Sequence, residues 1–208
     1  SPYGLCLGPG DSLYVAEGDT GAIKQVAPGD MSAQPAFASG LDYPTALRCS
    51  STQIMVAEYV SGEVTDVTAG GDFAGATSFS WGLGGLTGLY QTPGGTWYTA
   101  QEGPGHVFDI TAGGHFSAAS PFVLGGPFDA LGGMIEYQSQ LLVSGTLDTF
   151  IMDGGGPIGG LPLFGAGYQQ WSFDTAAGRL LATDAFGPNV RDLPPGPAQG
   201  NGFAWNIG

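Results

Sequence analysis

Two short motifs recur five times along this chain at one shared spacing. The first series reads Leu13-Tyr14-Val15-Ala16-Glu17, Ile54-Met55-Val56-Ala57-Glu58, Trp97-Tyr98-Thr99-Ala100-Gln101, Leu141-Leu142-Val143-Ser144-Gly145 and Leu180-Leu181-Ala182-Thr183-Asp184. The second starts at Ile23, Val64, Val107, Ile151 and Val190. In both series the steps are 41, 43, 44 and 39 residues. A period near 40 with several short strands per unit is the mark of a β-propeller. The expected fold is therefore all-β, a five-bladed β-propeller with four antiparallel strands per blade and about 41 residues per blade. It is expected to form one domain over residues 1–208, with blades at approximately 1–43, 44–85, 86–130, 131–169 and 170–208.

Each unit reads as four strands, A to D. Strand A joins a small residue to an apolar one at Gly4-Leu5, Ala46-Leu47, Gly88-Leu89 and Gly133-Met134, with Trp171-Ser172-Phe173 departing from the pattern. Strand B is apolar at consecutive positions, as expected of a strand sandwiched between neighbouring sheets. Strand C ends at Gly-rich turns such as Thr68-Ala69-Gly70-Gly71 and Thr111-Ala112-Gly113-Gly114, where positive φ is needed. Strand D opens on an aromatic at Phe37, Phe79, Phe122 and Phe203, with Leu163-Phe164-Gly165-Ala166 the vaguer fourth example. The first A strand lies near Ser1 and the last D strand near Gly208, so no blade is expected to be shared by the two ends. The outer edges of the blades are then expected to stand free, as hazards for edge pairing.

Eighteen acids face four basic residues, a net charge of −14. That excludes nucleic acid and anionic membrane surfaces as partners. No stretch of 18 apolar residues occurs, which argues against membrane insertion. Ser1 in place of an initiator Met reads as the start of a mature product after signal removal, or of an excised part of a precursor. The only cysteines, Cys6 and Cys49, are 43 residues apart on A strands of adjacent units. In a secreted chain such a pair favours a disulfide, provided the inner strands converge; otherwise both are small buried hydrophobes.

The wording Leu-Tyr-Val-Ala-Glu at 13–17, followed by Val-Thr-Asp-Val-Thr-Ala-Gly-Gly-Asp at 64–72, resembles the NHL-type and gluconolactonase-like propellers of secreted bacterial proteins. The resemblance implies an extracellular or cell-surface bacterial protein. It also implies an acidic channel mouth that, in gluconolactonase-like enzymes, holds a divalent metal used in hydrolysis. A lyase of cyclic-peptide antibiotics within the resembling group uses a His and Glu pair with a metal; His106 with Glu102 is the counterpart pairing here, and His115 is the other histidine.

Glu17, Glu58, Gln101 and Asp184 close successive B strands, with Gly145 the gap and Glu102 beside Gln101. Oxygens converging from such ends suit Ca2+, which takes six to eight of them. The plainer reading is that they cap strand ends and solvate the rim, leaving no cofactor. The series Asp66, Asp109, Asp153 and Asp192, with Gln25 in the first unit, precedes turns, where a carboxylate accepts backbone N–H groups. Trp81 and Trp205 fall on strand D, Trp97 on B and Trp171 on A, so core packing suits most of these and of the tyrosines better than a repeated lectin pocket.

These features favour a secreted, non-catalytic propeller acting in extracellular structure, adhesion or self-assembly, such as a surface or filament subunit. Its partners would be itself, other extracellular proteins or glycans. The alternatives are a metal-dependent lactone hydrolase or lyase, and a carbohydrate-binding lectin.

Overall fold

A computed structural model describes residues 2–26, 35–124, 131–137, 140–145, 149–151, 156–157, 168–174, 179–184, 189–193 and 203–206. The first repeat contributes β1 (Pro2–Leu7), β2 (Leu13–Glu17), β3 (Ala22–Val26) and β4 (Ala36–Ser39). The second contributes β5 (Pro44–Cys49), β6 (Ile54–Glu58), β7 (Val64–Asp66), β8 (Gly71–Asp72) and β9 (Ser80–Trp81). In the third lie β10 (Leu86–Gln91), β11 (Trp97–Gln101), β12 (His106–Asp109), β13 (Gly114–His115) and β14 (Val123–Leu124). The fourth holds β15 (Leu131–Tyr137), β16 (Gln140–Gly145), β17 (Thr149–Ile151) and β18 (Gly156–Pro157). The fifth holds β19 (Tyr168–Asp174), β20 (Arg179–Asp184), β21 (Asn189–Leu193) and β22 (Phe203–Asn206). The only helices among the described residues are two 3-10 turns, Pro9–Asp11 and Gly18–Thr20, so none is long and apolar enough to cross a membrane. The vaguer fourth D strand, Leu163–Ala166, and Asp153 lie outside the described residues.

The chain divides into two compact units, residues 1–101 with 109–120, and residues 102–108 with 121–208. In the first, β1 to β4 form an antiparallel meander, and β5, β6, β7 and β9 form another. β10 and β11 make the hairpin of the third repeat. In the second unit β15-β16-β17 and β19-β20-β21-β22 repeat the same order. Every A–B hairpin carries a register shift near its start, between Pro2 and Leu5, Pro44 and Ala46, Leu86 and Gly88, Leu131 and Met134, and Tyr168 and Gln170. Such bulges sharpen the local twist and re-aim side chains.

Because β2, β6 and β11 carry buried side chains at consecutive positions, they sit in the core. β6 is buried along its whole length. In the first unit Tyr14, Ala16 and Ile23 pack with Leu47, Ile54, Val56 and Val67, joining the first two repeats, and Cys6 and Cys49 lie against this cluster. Gly4 allows the approach: a Cβ there would lie 2.8 Å from the Leu47 nitrogen and 2.9 Å from the Thr45 carbonyl oxygen.

The D strands correct one expectation, that the outer edges stand free. The Gly-rich turn of the following repeat pairs with the D strand in parallel. Ala38 and Ser39 pair with Gly71 and Asp72, and Ser80 and Trp81 with Gly114 and His115. In the second unit Val123 and Leu124 pair with Gly156 and Pro157. The outer edges of β4, β9 and β14 are thus covered. Glycine makes the turn: Gly70 and Gly113 both have φ of +63°, and the Gly70 and Gly113 amides close onto Val67 and Ile110. The D strands are also shorter than the sequence suggests, two residues in β9 and β14.

Threonine pins the same turns. Asp66 accepts the Thr68 N–H at 3.0 Å, and Asp109 accepts the Thr111 N–H at 2.9 Å. Each Thr hydroxyl oxygen in turn accepts the first N–H of its B strand, from Ile54 and Trp97, both at 2.9 Å. Burial pushes the Asp66 carboxyl up, but bonds from Thr68 and Gln53 outweigh it and the net shift is downward. These two aspartates therefore serve the fold, as Asx-type turns do.

Candidate functional site

Where strand A begins, strand B ends, so the residues closing the B strands stand opposite A-strand starts. The register pairs Glu17 with Pro2, Glu58 with Pro44 and Gln101 with Leu86 in the first unit. Asp184 stands opposite Tyr168 in the second unit, and its side chain lies outside the described residues. The four rim positions are thus equivalent within their own sheets. Their environments are not.

Glu17 is partly exposed and forms an ion pair with Lys24 at 3.0 Å, while the Thr20 hydroxyl donates to it at 3.1 Å. The Lys24 bond holds its carboxyl below the ordinary value. Glu58 is buried, at 4% exposure. Its carboxylate accepts the Asp42 N–H and the Thr65 hydroxyl, each at 2.6 Å, with the Ser61 hydroxyl at 3.5 Å. Burial nevertheless pushes Glu58 up, with the charges of Glu63 and Asp42 adding to the effect, against the pull of those bonds. Both carboxylates are already committed within their repeats. Among the described residues no three His, Cys, Asp or Glu side chains converge. The described acids therefore do not fit a divalent-metal centre, and no chemical step is drawn through one.

Each histidine lies against an aromatic ring of its own unit. His106 packs edge-on to Phe108, with centroids 6.1 Å apart. His115 lies over Trp81 at 6.0 Å, on the pairing of β13 with β9.

What Glu58 does is fix the turn before β5. With Asp42 N–H held by the carboxylate, the Tyr59 N–H donates to the Tyr43 carbonyl at 3.0 Å and the Val60 N–H to that of Asp42 at 3.4 Å. Tyr43 is held at φ +60°, and it is the only non-glycine at positive φ among the described residues. The equivalent residue before β10 is Gly85, at φ +61°. Tyr43 also precedes Pro44, which independently disfavours compact backbone conformations. A non-glycine in this region costs about 1–3 kcal/mol, and such strain gathers at functional sites.

The strained turn presents an aromatic surface. Tyr43 lies 5.3 Å from Tyr3 and 6.0 Å from Tyr59, centroid to centroid, tilted by 52° and 59°. The Tyr3 and Tyr43 hydroxyls are hydrogen-bonded. That bond, with desolvation and the negative charge of Asp19, pushes the Tyr43 phenol up to about 12. Both rings lie on Gly18, where a Cβ would come within 2.8 Å of Tyr3 and 3.2 Å of Tyr43. Tyr3 is 43% exposed, Tyr43 and Tyr59 are half-buried, and Asp19, Asp42 and Val60 are exposed. The sequence suits most of the tyrosines to core packing; Tyr3 departs from that, while Tyr43 and Tyr59 are half-buried. The signal for Tyr43 was present in the repeats, as a tyrosine standing where Gly85 stands one unit later.

On the A strands a second device links adjacent repeats. A disulfide joins Cys6 and Cys49, with Cα atoms 5.6 Å apart, so the inner strands converge here. Cys6, Arg48 and Tyr90 stand opposite the second residue of their B strands, and Cys49 and Gln91 opposite the first. Arg48 spans the next interface between the same two positions, donating to the Gln91 carbonyl at 3.5 Å with its guanidinium 4.6 Å from the Tyr90 ring centroid. Disulfide and cation–π contact thus occupy equivalent seams.

No protein-family model matches this chain, and no curated protein sequence does. Solved structures do. A PQQ-bound aldose sugar dehydrogenase from Streptomyces coelicolor aligns with 99% of this chain and 81% of its own, at 13% identity and a TM-score of 0.71. A streptogramin B lyase aligns over 99% of this chain and 68% of its own, at 14% identity and a TM-score of 0.66. A putative gluconolactonase aligns over 88% and 71%, at 14% identity and a TM-score of 0.66. At this identity the likeness is one of fold, and the fold is that of a β-propeller.

Proposed function

We propose that this chain is a secreted, non-catalytic propeller of five blades that binds other extracellular macromolecules, in structure or adhesion, through the rim where its B strands end. The observation that carries this reading is the division of labour at that rim. Glu17 and Glu58 are tied to partners inside their own repeats, while beside them an exposed Tyr3 packs with the half-buried Tyr43. Conserving the fold does not require a tyrosine at φ +60°, so its presence points to a use outside the fold. Covered D-strand edges favour adhesion through the rim over assembly by edge pairing.

The alternative is a metal-dependent lactone hydrolase or lyase, and the lyase and putative gluconolactonase among the similar folds favour it. One experiment separates the two. The chain is incubated with sugar lactones and cyclic depsipeptides, with and without added Ca2+ or Mg2+, and in parallel tested for solid-phase binding to extracellular matrix material. The expected result is binding without turnover. Metal-dependent turnover that saturates with substrate would overturn the binding reading.

A further inference from the structure

We propose that Tyr3, Tyr43 and Tyr59 form a stacking platform for a neutral pyranose ring of an extracellular polysaccharide. The inference rests on the binding reading above and names the ligand class of that rim. Three features of the cluster select this chemistry.

The first is its backbone. Glycine serves at the equivalent turn before β10, with the same φ as Tyr43 to within a degree, so the turn itself does not need a side chain. A ring has been placed there at a cost in strain, and the buried Glu58 carboxylate holds the turn that carries it. Gly18 contributes by lacking a side chain, since any Cβ would displace the Tyr3 and Tyr43 rings.

The second is shape. Neighbouring centroids at 5.3 and 6.0 Å mean that the rings touch, leaving no space between them for a cation walled on several sides. Tyr3 is exposed and Tyr43 half-buried, so a ligand meets the outer side of this pair. A flat ring with one apolar face suits it, because tyrosine gives a rigid, amphipathic surface at little entropic cost.

The third is charge. Asp42, next to Tyr43 in the chain, is exposed, and carboxylates accept hydrogen bonds from sugar hydroxyls. The chain's net charge of −14 repels uronic acids and sulfated sugars, which leaves neutral hexoses and pentoses.

The test is affinity electrophoresis of the whole chain through gels containing dextran, mannan, galactan or xylan, with a polylysine gel as the cationic control. At least one neutral polysaccharide is expected to retard the wild type. Tyr43→Gly keeps a residue suited to the turn while removing the ring, and it and Tyr3→Ala are each expected to weaken retardation at least tenfold. Trp81→Ala removes an exposed aromatic elsewhere and is expected to change nothing. Urea unfolding of each variant reports whether the fold is intact. Retardation unaltered in a folded Tyr43→Gly would overturn the platform while leaving the rim a binding surface. Retardation by no neutral polysaccharide, or by polylysine alone, would overturn the sugar assignment; binding to matrix protein would then still support the broader reading.

Discussion

Replacing Glu58 with alanine separates a structural carboxylate from a catalytic one. The side chain accepts two bonds at 2.6 Å, from the Asp42 N–H and the buried Thr65 hydroxyl. Bonds to a charged group contribute about 1.5–3 kcal/mol each, and removing the acceptor strands their donors. Part of that loss is returned, because burial already penalises the ionised form. The net expectation is a destabilisation of about 2–4 kcal/mol at neutral pH. Glu17→Ala, which removes a partly exposed ion pair, should cost at most about 1 kcal/mol. Urea denaturation followed by tryptophan fluorescence measures both. The pH dependence adds a signed test. Glu58 is raised in the folded state, so its contribution is fully present below the unfolded carboxylate value and declines as pH rises through the folded one. Glu58→Gln lacks this decline, so the difference between the two proteins should move toward Gln as pH rises above the ordinary carboxylate range. A cost below about 1 kcal/mol for Glu58→Ala, alongside loss of a metal-dependent activity, would refute the structural assignment.

Further variants test the links between repeats. The disulfide closes a separation of 43 residues, and loop-closure entropy puts the loss in Cys6→Ser/Cys49→Ser near about 4 kcal/mol, read from urea midpoints against the oxidised parent. Thr68→Val removes the acceptor for the Ile54 N–H and should cost about 1–3 kcal/mol in the same assay, with Thr68→Ser restoring most of it. Gly4→Val drives a side chain into the backbone of β5 and should cost about 1–3 kcal/mol by thermal unfolding.

The strands were legible because their apolar runs repeat at one spacing, and because residues such as Ile54 to Ala57 are apolar on both faces. Equivalence of Glu17, Glu58 and Gln101 followed from the same spacing, and the register pairs all three with A-strand starts. Their different roles did not follow. Glu58 is defined by an N–H sixteen residues earlier, on the loop that enters β5, and no local pattern reports that contact. The parallel pairing of Ser39 with Asp72 is equally silent, since two residues carry no periodicity. Tyr43 stands at the Asp42-Tyr43-Pro44 break between units, and neither composition nor spacing reports its φ. A comparison of repeats position by position, asking where a side chain replaces a turn glycine, would have found it.

The most direct measurement is equilibrium binding of a neutral polysaccharide to the intact chain before and after exhaustive dialysis against EDTA. Saturable binding that is the same in both states, and that Tyr43→Gly weakens at least tenfold, is the predicted result. Binding that appears only when Ca2+ is restored, and is lost in Glu17→Gln rather than in Tyr43→Gly, would contradict the account.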